Sequence, residues 1–322
     1  MDVNENLTKN QIITMLNAED FSCYYKQADE IRKQNVGDKI LIRALLEFSN
    51  NCSRNCKYCG LNCFNAKLSR FRLTKQEILE CVEKACKVGY KTVVLQSGED
   101  FSAKEIGEIV KEIKKSFTIA VTLSCGEFSY DEYKYLKQCG ADRYLLKHET
   151  SDERLYSDLH DGYSLKDRVN CLKNIKEIGY ELGGGFMVGL PNQTMQTLAE
   201  DLLLLQQLQC DMAGIGPFIP HNDTVLKNCS SGSTELTKRC VAIARMLLPK
   251  ANLPATTALG VLDINDKKSV FDCGANVIMQ KITPNNVKRL YEIYPSHLND
   301  ITIEDGRKEV ENQIIALNKI PY

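Results

Sequence analysis

The sequence predicts an α/β fold: a (β/α)8 barrel of TIM type with an N-terminal helical extension and a C-terminal helix. Three observations predict it. Eight short runs rich in Val, Ile, Leu and Thr alternate with amphipathic segments over about 240 residues, the span of such a barrel. The runs are apolar on both faces, as buried parallel strands are. Polar or glycine-rich strings recur where most of the runs end: SGED, SCGE, KHET, VGLP, PFIPH and TTALG. In a barrel those ends form the active-site face. A doubly wound open sheet is the structural alternative.

The first 38 residues, with LTKNQIITMLN and FSCYYKQADEIRKQNVG, read as one or two helices packed on a barrel formed by residues 39–322. Strand candidates are 40–49, 91–99, 118–127, 142–150, 182–191, 212–220, 253–260 and 275–280. The helix over 74–89 opens on Thr74 with Glu77 three positions on, a capping-box pattern, and closes on Gly89. Segments 129–140 and 165–179 also end in glycine; 194–208 and 235–249 complete the clear set. The tail EDGRKEVENQIIALNKI reads as a terminal helix.

Across 322 residues, 41 basic and 42 acidic side chains nearly cancel, so no global basic field invites nucleic acid. The N-terminus is polar and acidic, without the apolar core of a signal peptide. No apolar run approaches the ~20 residues that span a bilayer. A cytoplasmic location is expected, with no membrane partner. In a reducing compartment, clustered thiols are metal-binding or catalytic more often than disulfide-bonded. Of the 14 cysteines, Cys81, Cys86, Cys139, Cys171 and Cys240 fall on helical segments and are expected to pack as small hydrophobes.

The stretch NNCSRNCKYCGLNC holds Cys52, Cys56, Cys59 and Cys63 just past the first strand. Structural zinc takes four ligands, commonly as two C-x2-C pairs, and no second such pair exists here. Cys52, Cys56 and Cys59, spaced x3 and x2, suit three corners of a [4Fe–4S] cluster, leaving the fourth iron open. His148 and His221 stand at strand ends without convergent partners and are not expected to bind metal.

C-x3-C-x2-C on the first loop, with Tyr58 just before the third cysteine, resembles the signature of radical S-adenosylmethionine enzymes. Within that superfamily the chain is similar to the [FeFe]-hydrogenase maturases of the HydE type, grouped with biotin synthase and methylornithine synthase. The likeness runs through GDKILIRALLEFSNNCSRNCKYCGL, TVVLQSGED, AVTLSCGE, GADRYLLKHET, MVGLPNQT, DMAGIGPFIPH, LPATTALG and CGANVIM. It implies one [4Fe–4S] cluster whose open iron holds S-adenosylmethionine and cleaves it to a 5′-deoxyadenosyl radical. It also implies an electron donor such as ferredoxin or flavodoxin. The substrate would be a cysteine-bound Fe(CO)2CN synthon made by HydG, passed toward the H-cluster on HydF.

Position by position, the resemblance assigns Cys52, Cys56 and Cys59 to the cluster and Tyr58 to the adenine. Ser97, Gly98 and Glu99 match a GGE-like motif for the methionine ammonium, Glu149 the ribose, and Arg168 the methionine carboxylate. Thr122 and Ser124 would face the same space by strand alternation. Arg143, Thr256, Thr257 and Tyr291 match anion-binding substrate positions; Met212, Met279 and Tyr294 match cavity lining. Lys147 stands in KHET where HydE sequences carry arginine, exchanging a bidentate fork for a point charge. QKITP replaces an NWTP-like string at 280–284. No C-terminal cysteine triplet for a second cluster is present, and Cys63 is extra. The departures keep open a paralogue acting on a small amino acid or thiol, as methylornithine synthase does on its own substrate. A non-catalytic zinc or iron–sulfur module is the reading from a different class.

Overall fold

The computed structural model describes residues 7–295 and 300–322. Eight parallel strands form the sheet: β1 (Lys39–Ser49), β2 (Thr92–Ser97), β3 (Ala120–Ser124), β4 (Arg143–Leu145), β5 (Glu181–Val188), β6 (Met212–Pro217), β7 (Pro254–Ala255) and β8 (Val277–Lys281). Their order is β6-β5-β4-β3-β2-β1-β8-β7. The ends of this run meet at one bridge between Met212 and Asn252, where Ala213 N–H donates to the Asn252 carbonyl at 3.1 Å. The result is a nearly closed barrel, and the open-sheet alternative is set aside. A two-residue strand, β9 (Ile320–Pro321), pairs beside the start of β1.

The strands form where burial demands it. β5 reads ELGGGFMV and is buried from Leu182 to Val188, and β2 is buried over Thr92–Leu95. Strands covered on both faces need no polar alternation. The helix Lys75–Val88 carries the expected capping box of Thr74 with Glu77, and Gly89 takes the left-handed conformation at φ 96°. Without a Cβ, glycine adopts that conformation at little cost. Helix Ala103–Ser116, missed by the periodicity reading, opens on an equivalent box of Ser102 with Glu105. The N-terminal helices Lys9–Leu16 and Ser22–Val36 pack on the outer helices Met195–Gln207 and Thr234–Leu247. The terminal helix is Ile303–Ala316. Cys81, Cys139 and Cys240 are buried as expected, whereas Cys86 and Cys171 are half-buried.

The strand expected over 253–260 is corrected. Only Pro254–Ala255 is extended, and Thr257–Leu262 is helical. The paired threonines favour strand, but Ala258, Leu259 and Leu262 favour helix, and the helix forms from the second threonine. Thr256 occupies its N-cap position yet makes no side-chain capping bond. The strand expected over 142–150 also stops early, at Leu145; beyond it Glu149 adopts φ 67°. Among the described residues, no helix is long and apolar enough to cross a membrane.

Candidate active site at the barrel mouth

The loop after β1 is built by its own carbonyls. Arg70 donates to the carbonyls of Asn50 at 2.6 Å, Leu61 at 2.8 Å and Asn62 at 2.7 Å, drawing the cysteine segment into a compact coil. The Gly98 N–H donates to the Ser49 carbonyl and the Ser53 N–H to the Glu99 carbonyl, both at 3.0 Å, so the end of β2 is stitched to this coil. The Glu99 N–H points at the Cys52 Sγ at 3.4 Å. A Cβ on Gly98 would strike the Asn51 carbonyl and lie 2.8 Å from the Cys52 Cβ. Glycine is therefore required for the two segments to meet. Gly98→Ala should push the cysteine segment off β2 and lower iron incorporation on anaerobic reconstitution, as read by iron per chain. Uptake equal to wild type would show that the segment does not need this contact.

Cys52, Cys56 and Cys59 all line one cavity of about 350 Å³ at the barrel mouth. Burial pushes the Cys56 thiol up to about 12, with the neighbouring Cys52 adding to it, and raises Cys59 well above the ordinary thiol value. Among the described residues, no three His, Cys, Asp or Glu side chains converge as a single metal ion requires. Three thiols spread over one loop fit a cubane, where each takes a different iron. Cys63 is exposed and is not part of the cavity lining.

Behind the loop runs a charged network that the sequence did not disclose. Arg54 donates to the Glu99 carboxylate at 2.6 Å and to Glu127 at 2.9 Å, and its guanidinium lies 3.9 Å from the Tyr163 ring centre. The other Glu127 oxygen forms an ion pair with Arg168, 2.8 Å from its Nε, while the Nε–H itself donates to the Tyr156 hydroxyl at 3.1 Å. Gly126, at φ 85°, lies where a Cβ would collide with the Glu99 carboxylate. The Tyr156 ring stacks on His160 at 4.1 Å. His160 Nδ1 faces the Tyr156 carbonyl at 2.9 Å, so Nδ1 carries the proton and Nε2 accepts from the Tyr58 hydroxyl at 3.1 Å. Tyr58 is thus held by His160, which Tyr156 holds in turn.

Burial depresses His160 to about 4. The unfolded chain takes up that proton near the ordinary value of 6.5, so the folded state binds fewer protons between the two. Stability should therefore fall as pH drops from 6.5 toward 4, and His160→Gln should flatten that slope in thermal melts. An unchanged slope would assign the dependence to other groups.

All but one of the residues assigned to the site from the sequence line this cavity: Cys52, Cys56, Tyr58, Cys59, Ser97, Gly98, Glu99, Thr122, Ser124, Lys147, Glu149, Arg168, Met212, Thr256, Thr257, Met279, Tyr291 and Tyr294. Arg143 does not. It starts β4 at the opposite end of the barrel and pairs there with Glu181 and the Thr92 hydroxyl. The arginine that reaches the cavity is Arg43 of β1, buried to 4% exposure. Its signal was legible in principle, because Arg43, Leu45 and Glu47 line the cavity at strand period two. The residues that sequence reading missed are Arg43, Glu47, Arg54, Gln96 and Lys281 on the lining, with Glu127 and His160 behind it.

The cavity carries polar atoms without protein partners. Ser97 Oγ, Thr122 Oγ1 and Thr256 Oγ1 are buried and unbonded. Buried hydroxyls are costly to leave so. Three thiols above and orphaned hydroxyls below fit a cluster with a polar small molecule beneath it.

Comparison with known proteins agrees with this geometry. The profile of the Radical SAM superfamily matches residues 46–205. Solved structures of methylornithine synthase (TM-score 0.85, 24% identity, 99% of this chain and 95% of that one) and of HydG, an [FeFe]-hydrogenase maturase (TM-score 0.84, 21% identity, 98% and 73%), share the fold. The barrel and its cysteine loop define a radical S-adenosylmethionine enzyme. The chain is 50% identical over 276 residues to the [FeFe] hydrogenase maturase subunit HydE of Thermotoga maritima, covering 85% of this chain and 79% of that protein. It belongs to the HydE family. It is also 27% identical to the 3-methylornithine synthase of Methanosarcina acetivorans, over 86% of this chain and 79% of that one.

Proposed function

We propose that this protein is a HydE-type maturase that works on a small cysteine-bound Fe(CO)2CN unit during assembly of the [FeFe]-hydrogenase H-cluster. The observation that carries the reading is one cavity with Cys52, Cys56 and Cys59 at its mouth and unbonded Thr122 and Thr256 hydroxyls deeper in. When bound, a single [4Fe–4S] cluster and S-adenosylmethionine supply a 5′-deoxyadenosyl radical. The chain's own residues bind and orient. Cys52, Cys56 and Cys59 hold the cluster, and Ser97, Gly98 and Glu99 with Arg168 take the two ends of the methionine zwitterion. Glu149 accepts from ribose hydroxyls, and Thr122 and Ser124 complete that wall. Tyr58, pinned by His160, covers the adenine. Deeper in, Lys147, Thr256, Thr257 and Tyr291 anchor the substrate, with Met212, Met279 and Tyr294 excluding water. Arg43 takes the place first given to Arg143.

The protein would act in the cytoplasm, reduced by ferredoxin or flavodoxin, receiving its substrate from HydG and passing its product toward HydF. EPR of the reduced, reconstituted protein tests the chemistry. Added S-adenosylmethionine should change the cluster signal, and 5′-deoxyadenosine should accumulate with the iron synthon. A signal indifferent to S-adenosylmethionine would sink the radical reading. Turnover with a small amino acid and none with the synthon would favour the paralogue, which Lys147 and Lys281 motivate.

A further inference from the structure

Two lysines face each other across the cavity. Lys147 follows β4 and Lys281 closes β8. In the order β6-β5-β4-β3-β2-β1-β8-β7 these strands are four apart, which in a barrel of eight is diametrically opposite. Both side chains line the same cavity. Each is leashed to one carboxylate: Lys147 Nζ lies 3.0 Å from Glu149 Oε2, and Lys281 Nζ lies 2.7 Å from Glu47 Oε1. An ammonium has three N–H donors, so one carboxylate does not exhaust it.

The Glu47–Lys281 pair is a built feature. The Glu47 side chain is 4% exposed and that of Lys281 is 15% exposed. The second Glu47 oxygen accepts from the Thr283 hydroxyl at 3.2 Å, and the Glu47 N–H donates to the same hydroxyl at 3.0 Å. Glu47 is thereby bonded through both oxygens, and Lys281 is the member of the pair with capacity left. A pair that only joined β1 to β8 would be redundant, since the backbone ladder already runs from Leu41–Val277 to Leu45–Lys281. It need not open on the cavity either. A buried ammonium is expensive unless paired, and Glu47 is the carboxylate that pairs it.

We propose that Lys281, held by Glu47, is a second anion anchor of the substrate cavity, and that with Lys147 it selects a small substrate carrying an anionic group at each end. This rests on the reading of the cavity as the substrate site. A cysteine carboxylate at one end and a cyanide-bearing iron at the other would satisfy it, and so would a dicarboxylic amino acid.

Calorimetric titration of the reconstituted, S-adenosylmethionine-bound protein tests this with succinate, glutarate and adipate against butyrate, pentanoate and hexanoate. At least one diacid should bind about tenfold more tightly than its length-matched monoacid, as one charge-assisted bond allows. Lys281→Met and Lys147→Met should each cut that advantage to about twofold or less. Lys281→Met takes the bonded ammonium from the buried Glu47, so the neutral pair Glu47→Gln with Lys281→Met provides a folded partner variant, and it should lose the same advantage. Equal binding of diacids and monoacids by the wild type would overturn the proposal. So would a diacid preference that survives in either Lys281 variant. An S-adenosylmethionine-insensitive EPR signal would instead defeat the radical reading, while leaving this binding result to stand by itself.

Discussion

Cys56→Ser protein, expressed and reconstituted anaerobically beside the wild type, is expected to lack the iron–sulfur absorption band and the EPR signal of the reduced cluster. The expectation follows from ligand type. Cluster irons prefer thiolates. Among the described residues, Cys52, Cys56 and Cys59 are the only cysteines on the cavity lining. The loop that carries them is held by backbone bonds from Arg70 and from the end of β2, none of which involves the Cys56 sulfur. Serine should therefore keep the loop and lose the cluster, which circular dichroism of the variant can check. Cys63→Ser supplies the contrast. Cys63 is four residues beyond Cys59 but exposed and off the lining. Its variant should reconstitute like wild type. Cluster loss in Cys63→Ser with retention in Cys56→Ser would overturn the division of the four thiols.

Much of this arrangement is legible in the sequence. Strands buried on both faces need a continuous apolar run, and such runs are hard to mistake in ELGGGFMV or TVVLQS. Capping boxes are local, so Thr74 with Glu77 could be read directly. Strand lengths were not legible, because β-propensity does not say where a chain turns into the next helix. β7 is two residues long for that reason, and Thr256 ends at a helix start with its hydroxyl unbonded. The cavity lining followed well from motifs, but Arg143 was misplaced. Position on β4 alone did not reveal which end of the barrel it occupied, and Glu181 holds it at the far end. Arg54, Glu127 and His160 escaped for a different reason. Their partners lie 45, 41 and 102 residues away, at Glu99, Arg168 and Tyr58, and no local pattern encodes a pairing across such distances.

That long-range network is where the largest stability effect is expected. Glu127 stands between two guanidiniums, 2.9 Å from Arg54 and 2.8 Å from Arg168, whose side chains are 11% and 7% exposed. Glu127→Ala removes the shared carboxylate and leaves two buried like charges near each other. Arg54 would retain Glu99, but Arg168 would keep only the Tyr156 hydroxyl. Breaking a buried pair from one side costs on the order of 3–5 kcal/mol, because the remaining charge is uncompensated. For a chain of this size that is roughly 4–7 °C in melting temperature. Glu127→Gln keeps the side-chain volume and one acceptor oxygen but turns an NH2 toward the second arginine, so it should recover only part of the loss. Glu83→Ala is the reference. Its carboxylate pairs only with Lys87 on an open helix face, and such a pair contributes little. Thermal melts of the three variants rank the contributions. A Glu127→Ala protein as stable as Glu83→Ala would mean that water reaches the two guanidiniums and solvates them, and the network would then have no part in holding Arg168 toward the cavity.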